Sequence, residues 1–302
     1  MTADGVVLGR RGGHLRVLIH EAVVLATLRG RLKHARGDDR VVAGDRVQLE
    51  LRGDHAVITD LGERKSILAR RAGDQRRAQP VAANVDQVLV VAASRDPEPN
   101  ARFLDRLLVV AEANRLPSLV VLNKIDLASE WLDRLERRYR TAGYGIISTS
   151  AKAGTGVDRV RELLCGRATV LTGASGVGKS SLLNAVEPGL GLRTREVSSY
   201  WGTGKQTTVA AELVPIGIGG FVVDTPGLRE IGLWNVRPHE LGPCFPEFRP
   251  YLDQCRFADC RHVREPACAV RAAASGGVFD PDRLVTYERL LEEAEAAFRP
   301  WA

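Results

Sequence analysis

The chain has 302 residues, of which 44% are hydrophobic and 26% are charged, and its formal net charge at pH 7 is +6. This composition is typical of a globular protein, and the length is sufficient for more than one hydrophobic core. No uninterrupted apolar run approaches the roughly 18 residues that a membrane span needs. Residues 1–11 lack the charged-then-apolar order of a secretion signal. We therefore expect a cytoplasmic protein without membrane segments.

Residues 1–80 form the first predicted unit. Apolar stretches at 16–19, 45–51 and 56–58 alternate with turns that are rich in glycine and charged residues. Short apolar stretches at this spacing are typical of a small β-barrel. We therefore predict a barrel at the start of the chain.

The excess of positive charge is concentrated in this predicted barrel. It contains 16 Lys and Arg residues against 10 Asp and Glu residues, a difference that equals the net charge of the whole chain. Such a basic unit is suited to the phosphate backbone of a nucleic acid. Its densest basic cluster, Arg70-Arg71 with Arg76-Arg77, either contacts RNA or is only solvated. No aromatic residue occurs in 1–80, so we expect recognition of backbone and shape instead of base stacking.

Strand and helix patterns alternate from residue 81 to residue 234. A first strand is predicted at 86–92, and one-sided apolar faces predict helices over 103–111 and 157–164. This alternation indicates a doubly wound α/β domain, joined to the barrel by a linker at 75–80.

Two short motifs in this region are typical of guanine recognition. They are Asn123-Lys124-Ile125-Asp126 and Ser150-Ala151-Lys152. The Asp126 carboxylate can accept hydrogen bonds from the ring N–H and the exocyclic amino group of guanine, a donor pair that adenine lacks. We expect Asn123 and Lys124 to brace the base-binding loops and the Ser150 and Ala151 amides to contact the guanine carbonyl. The first motif taken alone is also compatible with an ordinary turn.

A glycine-rich loop between a predicted strand at 168–172 and a predicted helix from 181 matches the phosphate-binding pattern. It reads Gly173-Ala174-Ser175-Gly176-Val177-Gly178-Lys179-Ser180, followed by Ser181. Backbone N–H groups in such a loop cradle phosphate oxygens at a helix N-terminus. Lys179 can reach the β- and γ-phosphates, and the Ser180 hydroxyl can ligate Mg²⁺. A glycine-rich turn that matches by chance is the alternative.

Two further segments are predicted to contact the γ-phosphate and Mg²⁺. Asp224 ends an apolar strand and begins Asp224-Thr225-Pro226-Gly227, in which the carboxylate can hold Mg²⁺ and the Gly227 N–H can bind the γ-phosphate. The polar stretch 202–208 is suited to a switch loop. Thr208 is our candidate for completing the Mg²⁺ shell, with Thr207 as the alternative.

The order of these motifs along the chain is unusual. The guanine motifs normally close a GTPase domain, yet here they precede the phosphate loop, and the Asp224 motif comes last. The sequence therefore predicts a circularly permuted GTPase domain.

Three cysteines and a histidine are grouped near the end of the chain. They are Cys255, Cys260, His262 and Cys268. Three thiolates and an imidazole complete a tetrahedral Zn²⁺ site with no open position, so we predict one structural zinc ion. The odd total of five cysteines argues against disulfides, and free buried thiols are the remaining alternative. Beyond this cluster, Asp280 and Pro281 predict the start of a helix whose apolar stripe ends at Phe298.

The permuted motifs, the barrel before them and the cysteine cluster after them resemble the ribosome small subunit-dependent GTPase family over nearly the whole chain. Its members are circularly permuted enzymes that assist late maturation of the bacterial 30S subunit. The resemblance implies an OB-fold at 1–80, the permuted GTPase domain at 81–234 and a zinc-binding helical domain at 235–302. It also implies the same four zinc ligands.

The resemblance implies a monomeric enzyme that hydrolyses GTP to GDP, binds the 30S subunit and 16S rRNA, and uses hydrolysis to leave the subunit. One alternative is a permuted GTPase that acts on the 50S subunit or another ribonucleoprotein. A second is an RNA-binding protein that holds nucleotide with little catalysis. An ATP-dependent kinase or ATPase is a more distant third.

Gln206 is our candidate for orienting the attacking water. Many GTPases carry a glutamine directly after the Asp-x-x-Gly motif, but this chain has Leu228 there, whose side chain forms no hydrogen bond. Related family members often carry a histidine immediately before the switch threonines, at the position of Gln206. A glutamine amide can accept a hydrogen bond from water and donate one towards the γ-phosphate. A polar loop residue without a catalytic role is the alternative for Gln206.

Overall fold

The computed structural model describes residues 1–34, 39–52, 55–71, 78–127, 130–191, 211–224 and 236–298. Three parts follow one another along the chain: a closed barrel, a six-stranded sheet covered by helices, and a helical C-terminal part. Within the described ranges, no helix has the length and apolar character that crossing a membrane requires.

The N-terminal part is a closed barrel of five strands. They are β1 (Thr2–Arg11), β2 (His14–Ile19), β3 (Ala22–Leu28), β4 (Arg46–Arg52) and β5 (His55–Leu61), with a short helix α1 (Arg31–His34) after β3. The strands lie in the order β1-β2-β3-β5-β4, and β4 pairs back onto β1 to close the barrel. Neighbours are antiparallel except β3 and β5, which are parallel.

Alternating burial along the strands explains why this part closes into a barrel. Leu15, Val17 and Ile19 alternate with more exposed residues on β2 and share one core with Leu49 of β4 and Ile58 of β5. Period-two burial places one face of each strand inward. The predicted small β-barrel is therefore confirmed, and its five-stranded architecture is OB-like.

Two further strands connect the barrel to the central domain. They are β6 (Ile67–Arg71) and β7 (Ala78–Ala83), and they form an antiparallel ribbon. Leu68 of β6 belongs to the same core as Leu8 of the barrel and residues of the central sheet. The last residues of the predicted linker, 78–80, thus lie in a strand. The predicted basic residues Arg76 and Arg77 lie outside the described ranges.

The central domain contains a six-stranded sheet. Its strands are β8 (Gln87–Ala93), β9 (Ser118–Asn123), β10 (Gly145–Ser148), β11 (Ala168–Gly173), β12 (Glu212–Ile216) and β13 (Gly220–Asp224). They lie in the order β10-β9-β8-β11-β13-β12. Neighbours are parallel except β12, which pairs antiparallel with β13 at one edge. The continuous burial of β8 and β11 is typical of parallel strands that are covered on both faces.

Helices cover both faces of this sheet. They are α2 (Ala101–Ala113), α3 (Glu130–Thr141), α4 (Val157–Leu164) and α5 (Lys179–Val186). Helix α2 contains the predicted helix over 103–111, and the Asn100 side chain caps it by accepting a hydrogen bond from the Phe103 amide at 3.1 Å. Helices α2 and α3 share a core with Val88 and Val90 of β8, whereas α4 and α5 pack on the opposite face. This is the predicted doubly wound α/β arrangement.

The C-terminal part is helical. After 3₁₀ turns at Pro238–Glu240, Gly242–Cys244 and Pro246–Gln254, it contains α6 (Ala269–Ser275) and α7 (Pro281–Phe298). Helix α7 begins at the predicted proline, and Asp280 caps it by accepting a hydrogen bond from the Asp282 amide at 2.9 Å. The sequence predicted that the buried apolar stripe of α7 extends to Phe298. In the structure Phe298 is 43% exposed, whereas Leu290, earlier in the same helix, is buried.

Buried charges connect this C-terminal part to the central domain. Asp105 of α2 accepts hydrogen bonds from Arg138 of α3 at 2.5 Å and from Arg283 of α7 at 2.9 Å. Thr286 of α7 donates to the same carboxylate at 3.0 Å. Arg283 also donates twice to Glu247, at 2.6 and 3.1 Å. The charges are paired and hydrogen-bonded, as buried charges must be, and they hold α7 against α2 and α3.

Candidate nucleotide site and metal centre

The predicted phosphate loop connects β11 to α5, and two of its glycines are required by close contacts. Gly173 has a φ of 146°, and a Cβ there would lie 2.1 Å from the carbonyl oxygen of Val91. Gly178 has a φ of 93°, and its Cβ would lie 2.4 Å from the Asn123 side-chain nitrogen. Only glycine fits at these positions. The loop can therefore lie directly against β8 and the guanine motif.

The tip of the loop is open to solvent and precedes a helix N-terminus. Ser175 and Gly176 are exposed, whereas Val177 is buried and anchors the turn. Backbone N–H groups at the start of a helix, together with the helix dipole, favour a phosphate group. The loop geometry thus fits the phosphates of a nucleotide.

Lys179 and Ser180 stand at the start of α5. The Lys179 ammonium donates hydrogen bonds to the carbonyl oxygens of Gly173 at 3.0 Å and Ala174 at 2.8 Å. It therefore lies at the loop whose amides can receive phosphate oxygens, as the motif predicts. Ser180 is buried at the first turn, and Ser181 follows it on the helix.

The sheet brings the backbone positions of two predicted magnesium ligands, Ser180 and Asp224, towards one edge. Strand β11, which leads into the phosphate loop and Ser180, pairs in parallel with β13, whose last residue is Asp224. The carboxyl ends of parallel strands meet at one edge, and oxygen is the ligand atom that Mg²⁺ prefers. The arrangement fits a magnesium-bound nucleotide. Outside the described residues lie the predicted Gln206, Thr207, Thr208 and Gly227, and the side chain of Asp224 is also not described.

Asn123 connects the guanine motifs to the phosphate loop. Its buried side chain donates a hydrogen bond to the Val177 carbonyl at 3.0 Å. The same side chain accepts hydrogen bonds from the Thr149 hydroxyl at 3.1 Å and the Ala151 amide at 3.2 Å. The Asn123 amide therefore holds the first guanine motif, the second guanine motif and the phosphate loop in fixed positions relative to each other. This agrees with the predicted bracing role.

Asp126 is exposed and is held by the second guanine motif. The Ser150 hydroxyl donates a hydrogen bond to one of its carboxylate oxygens at 2.6 Å. This hydrogen bond lowers the pKa of Asp126 below its ordinary value, and the positive charges of Lys152 and Lys124 act in the same direction. The group is therefore a carboxylate at neutral pH, which is the form that accepts from the N–H pair of guanine.

The backbone amides of the second guanine motif have protein partners. The Ser150 amide donates to the Thr155 carbonyl at 2.9 Å, and the Ala151 amide donates to Asn123. A guanine carbonyl would have to share or replace these hydrogen bonds. Contact between guanine and these two amides therefore stays a prediction.

Lys124 crosses from the guanine motif towards the phosphate loop. Its ammonium donates a hydrogen bond to the Asp96 carbonyl, and its Cε lies 3.9 Å from the position of a Cβ on Gly178. Its backbone φ of 62° is in the left-handed region. The long side chain thus braces the loop after β8 and the phosphate loop together.

Ser94 is a structural residue of the site that the sequence analysis missed. It follows β8 and is buried, and its hydroxyl donates to the Lys124 carbonyl oxygen at 2.6 Å and also lies 3.3 Å from that of Leu127. These contacts hold the turn that carries Asp126. The sequence contained one signal for this role, a hydroxyl residue directly after a buried strand. Because the carboxyl ends of β8 and β9 lie side by side, such a residue can reach the turn after β9.

The predicted zinc ligands lie together in the C-terminal part. The ligand atoms of Cys255, Cys260, His262 and Cys268 are all within 4.8 Å of one another. His262 Nδ1 lies 3.5 Å from Cys255 Sγ and 3.4 Å from Cys268 Sγ, and the two sulfurs are 3.9 Å apart. With Zn–S and Zn–N bonds of about 2.3 and 2.0 Å, a tetrahedral site requires ligand separations of roughly 3.5–3.8 Å. The geometry therefore fits one structural zinc ion.

Burial favours the neutral forms of three of these groups. Burial raises the pKa of the Cys260 thiol to about 12 and also raises that of Cys268. Burial lowers the pKa of His262, which favours the neutral imidazole that ligates a metal. Zinc binding would displace the thiol protons. Of the other cysteines, Cys244 is buried and Cys165 exposed, as expected for thiols outside the site.

Comparison with known families identifies the domain that contains the nucleotide site. A sequence model of the family described as RsgA GTPase matches residues 61–234. This range begins before the predicted domain start at residue 81, so it also includes the β6–β7 ribbon.

Curated relatives match over almost their whole length. A protein of Gemmatimonas aurantiaca named Small ribosomal subunit biogenesis GTPase RsgA is 47% identical over 299 residues, which cover 97% of each chain. A protein with the same name from Moorella thermoacetica is 40% identical, with 99% of this chain and 100% of its own covered.

Solved structures agree with these matches. YjeQ from Thermotoga maritima superposes with a TM-score of 0.79 at 35% sequence identity, covering 99% of this chain and 100% of its own. YloQ, described as a circularly permuted GTPase, superposes with a TM-score of 0.74 at 28% identity, covering 100% of this chain and 98% of its own. The motif order, the fold and these relatives together show that the chain belongs to the RsgA family of circularly permuted GTPases.

Proposed function

We propose that this GTP-hydrolysing enzyme binds the 30S ribosomal subunit through 16S rRNA, assists its late maturation, and leaves it after hydrolysis. The observation that carries this proposal is the combination, in one chain, of a guanine-nucleotide site and a basic barrel. A relative that is 47% identical over 299 residues is named Small ribosomal subunit biogenesis GTPase RsgA. A monomer that acts in the cytoplasm is part of the proposal.

The barrel offers a specific surface for RNA. Strands β1 and β2 form a hairpin whose turn is exposed and carries Arg10, Arg11 and His14. Neither Arg10 nor Arg11 forms an ion pair with a residue in the described ranges. Arginines of this kind can neutralise phosphates and release counterions. Because residues 1–80 contain no aromatic side chain, the hairpin is suited to the RNA backbone and not to base stacking.

Hydrolysis is proposed to proceed by in-line attack of water on the γ-phosphate. Lys179, whose ammonium lies at the phosphate loop, and the amides of that loop would stabilise the negative charge that develops. Mg²⁺, held by Ser180, Asp224 and Thr208, would neutralise charge on the β- and γ-phosphates. Gln206 would orient the attacking water, a role that rests on its sequence position alone.

Co-sedimentation with separated ribosomal subunits tests this proposal. The protein with a non-hydrolysable GTP analogue is expected to pellet with 30S subunits and to be released when GDP replaces the analogue. Binding to 50S subunits instead would favour the alternative of a large-subunit factor. Binding to 30S subunits that is the same with both nucleotides would remove the link between hydrolysis and release.

A further inference from the structure

The base of the β1–β2 hairpin rests on a strand of the GTPase domain. Gly9 of β1 and Arg16 of β2 are paired across this hairpin, and β1 packs against β12. A Cβ on Gly9 would lie 3.1 Å from Cγ of Glu212 and 3.6 Å from the Ala211 carbonyl oxygen. The Arg16 guanidinium lies 3.7 Å from the Glu212 carboxylate. Both residues of the hairpin base therefore lie against Glu212, the first residue of β12.

This contact point is close along the chain to one segment that is predicted to sense the nucleotide, and it is paired across the sheet with the first residue of another. Ala211 and Glu212 directly follow residues 192–210 in the chain, which include the predicted switch stretch 202–208. Glu212 is also the cross-strand partner of Asp224, the predicted Mg²⁺ ligand. In an antiparallel ladder such partners have Cα atoms only about 4.5–5.5 Å apart. A shift of Glu212 would therefore be transmitted directly to the end of β13.

The connection is stiff enough to transmit a displacement. Leu8 of β1 is wholly buried and shares one continuous core with Ala211, Leu213 and Val223 of the β12–β13 pair. Packed cores deform little because their side chains interdigitate at high density. The side chains of Arg16 and Glu212 are 22% and 26% exposed, so solvent screens their ion pair less than a fully exposed pair. A displacement of the hairpin on RNA binding would therefore be transmitted to β12 through the shared core and through the ion pair.

We propose that Glu212 is a positioning residue that couples RNA binding at the β1–β2 hairpin to the β12–β13 ladder, so that bound RNA raises GTP turnover. This inference rests on the proposed function, because it assigns the RNA of the small subunit as the ligand of the hairpin. Glu212 touches neither nucleotide nor RNA in this scheme. Its effect is exerted through the strand end at which Asp224 stands.

The test compares Glu212→Gln with the matched control Glu50→Gln. Glu50 forms an ion pair with Arg29 at 2.8 Å in the same barrel, away from β12. Basal GTP turnover, affinity for 30S subunits and turnover at saturating 30S are measured for each protein. For Glu212→Gln we expect basal turnover and affinity within twofold of wild type, and stimulated turnover lowered by roughly 5-fold or more, the lower range of allosteric couplings. For Glu50→Gln all three are expected to be unchanged.

Charge reversal provides a second arm. Arg16→Glu alone is expected to lower stimulated turnover, and the double variant with Glu212→Arg is expected to restore it at saturating 30S, because the ion pair is re-formed with opposite polarity. A Glu212→Gln protein that is stimulated within twofold of wild type would overturn this inference alone. An equal loss in Glu50→Gln would also overturn it, since the effect would then reflect general weakening of the barrel. A wild-type enzyme that neither binds nor responds to 30S would overturn the proposed function as well.

Discussion

Replacement of Asp105 by asparagine tests how the C-terminal part is held on the GTPase domain. The Asp105 side chain is wholly buried and lies 2.5 Å from Arg138 and 2.9 Å from Arg283. Asparagine keeps the shape but removes the charge. Glu247 still balances Arg283 at 2.6 Å, whereas Arg138 is left with the partly exposed Asp280 at 3.0 Å as its nearest carboxylate. Buried positive charge would therefore exceed buried negative charge.

Removal of one partner from a buried ion pair typically destabilises a protein by about 3–5 kcal/mol. We expect about 3 kcal/mol for Asp105→Asn, the lower end of that range, because two carboxylates remain. In domains of about 150–250 residues such a loss lowers the melting temperature by roughly 6–12 °C, and for this chain of 302 residues we expect a fall towards the lower end of that range. The effect is large because water cannot reach the two guanidiniums, whose buried charges are then incompletely balanced.

The pH dependence of this stabilisation follows from the Asp105 carboxylate. Burial by itself would raise its pKa, but the Arg283 and Arg138 guanidiniums outweigh burial and hold the pKa below its ordinary value. A carboxylate with a lowered folded pKa contributes its stability above the unfolded pKa of about 3.9. That stability is lost as pH falls through the lower folded pKa. The full difference between wild type and variant is therefore expected at pH 7.

Thermal unfolding at pH 7, combined with limited proteolysis of the C-terminal part, measures this prediction. The matched control is Glu112→Gln, which removes a surface ion pair with Arg249, whose side chains are 17% and 51% exposed, between the same helix and the C-terminal part. Exposed pairs contribute at most about 1 kcal/mol, so the control is expected to melt close to wild type. An Asp105→Asn protein that is as stable as Glu112→Gln would refute the role assigned to the buried charges.

Four further variants test the nucleotide site, the metal centre and the barrel hairpin. Asp126→Asn exchanges a carboxylate for an amide that can pair with xanthine, so competition assays are expected to show a preference for xanthosine triphosphate over GTP; unchanged GTP affinity would remove Asp126 from the base site. Cys260→Ser is expected to lower the zinc content from about one equivalent per chain and to make the C-terminal part sensitive to protease while GTP binding persists; a metal-free wild type with an equally resistant C-terminus would contradict this. Arg10→Ala combined with Arg11→Ala is expected to reduce the slope of log affinity for 30S against log salt by roughly 1.5, and an unchanged slope would exclude the hairpin as an RNA contact. Gln206→Ala is expected to lower subunit-stimulated turnover at least ~10-fold, about 1.4 kcal/mol of barrier, with nucleotide affinity little changed; turnover within twofold of wild type would end the assignment.

The parts of the site that could be predicted from the sequence are those encoded by short, contiguous motifs. The phosphate loop, the two guanine motifs and the zinc ligands each lie within a few residues of one another along the chain. Their chemistry requires fixed spacing, and fixed spacing is visible in the sequence. The barrel and the α/β layout were likewise indicated by local hydrophobic periodicity.

The contacts between domains could not be predicted in this way. Arg283 and Asp105 are separated by 178 positions in the chain, and charged residues within a helical pattern ordinarily indicate a solvated face. The contact between Arg16 and Glu212 joins elements of different domains, and no local pattern marks it. Such pairs form when folded domains pack against each other. The assembled structure is therefore needed to show which charges become buried or paired.

GTP turnover by the purified protein alone, with 30S subunits and with 50S subunits, tests the central claim most directly. All three rates are measured at the same salt and subunit concentration, because RNA binding depends strongly on salt. We predict slow turnover by the free enzyme, a rise of at least ~10-fold with 30S subunits, and no comparable rise with 50S subunits. A fast basal rate that is indifferent to 30S subunits, or an equal response to 50S subunits, would contradict the account.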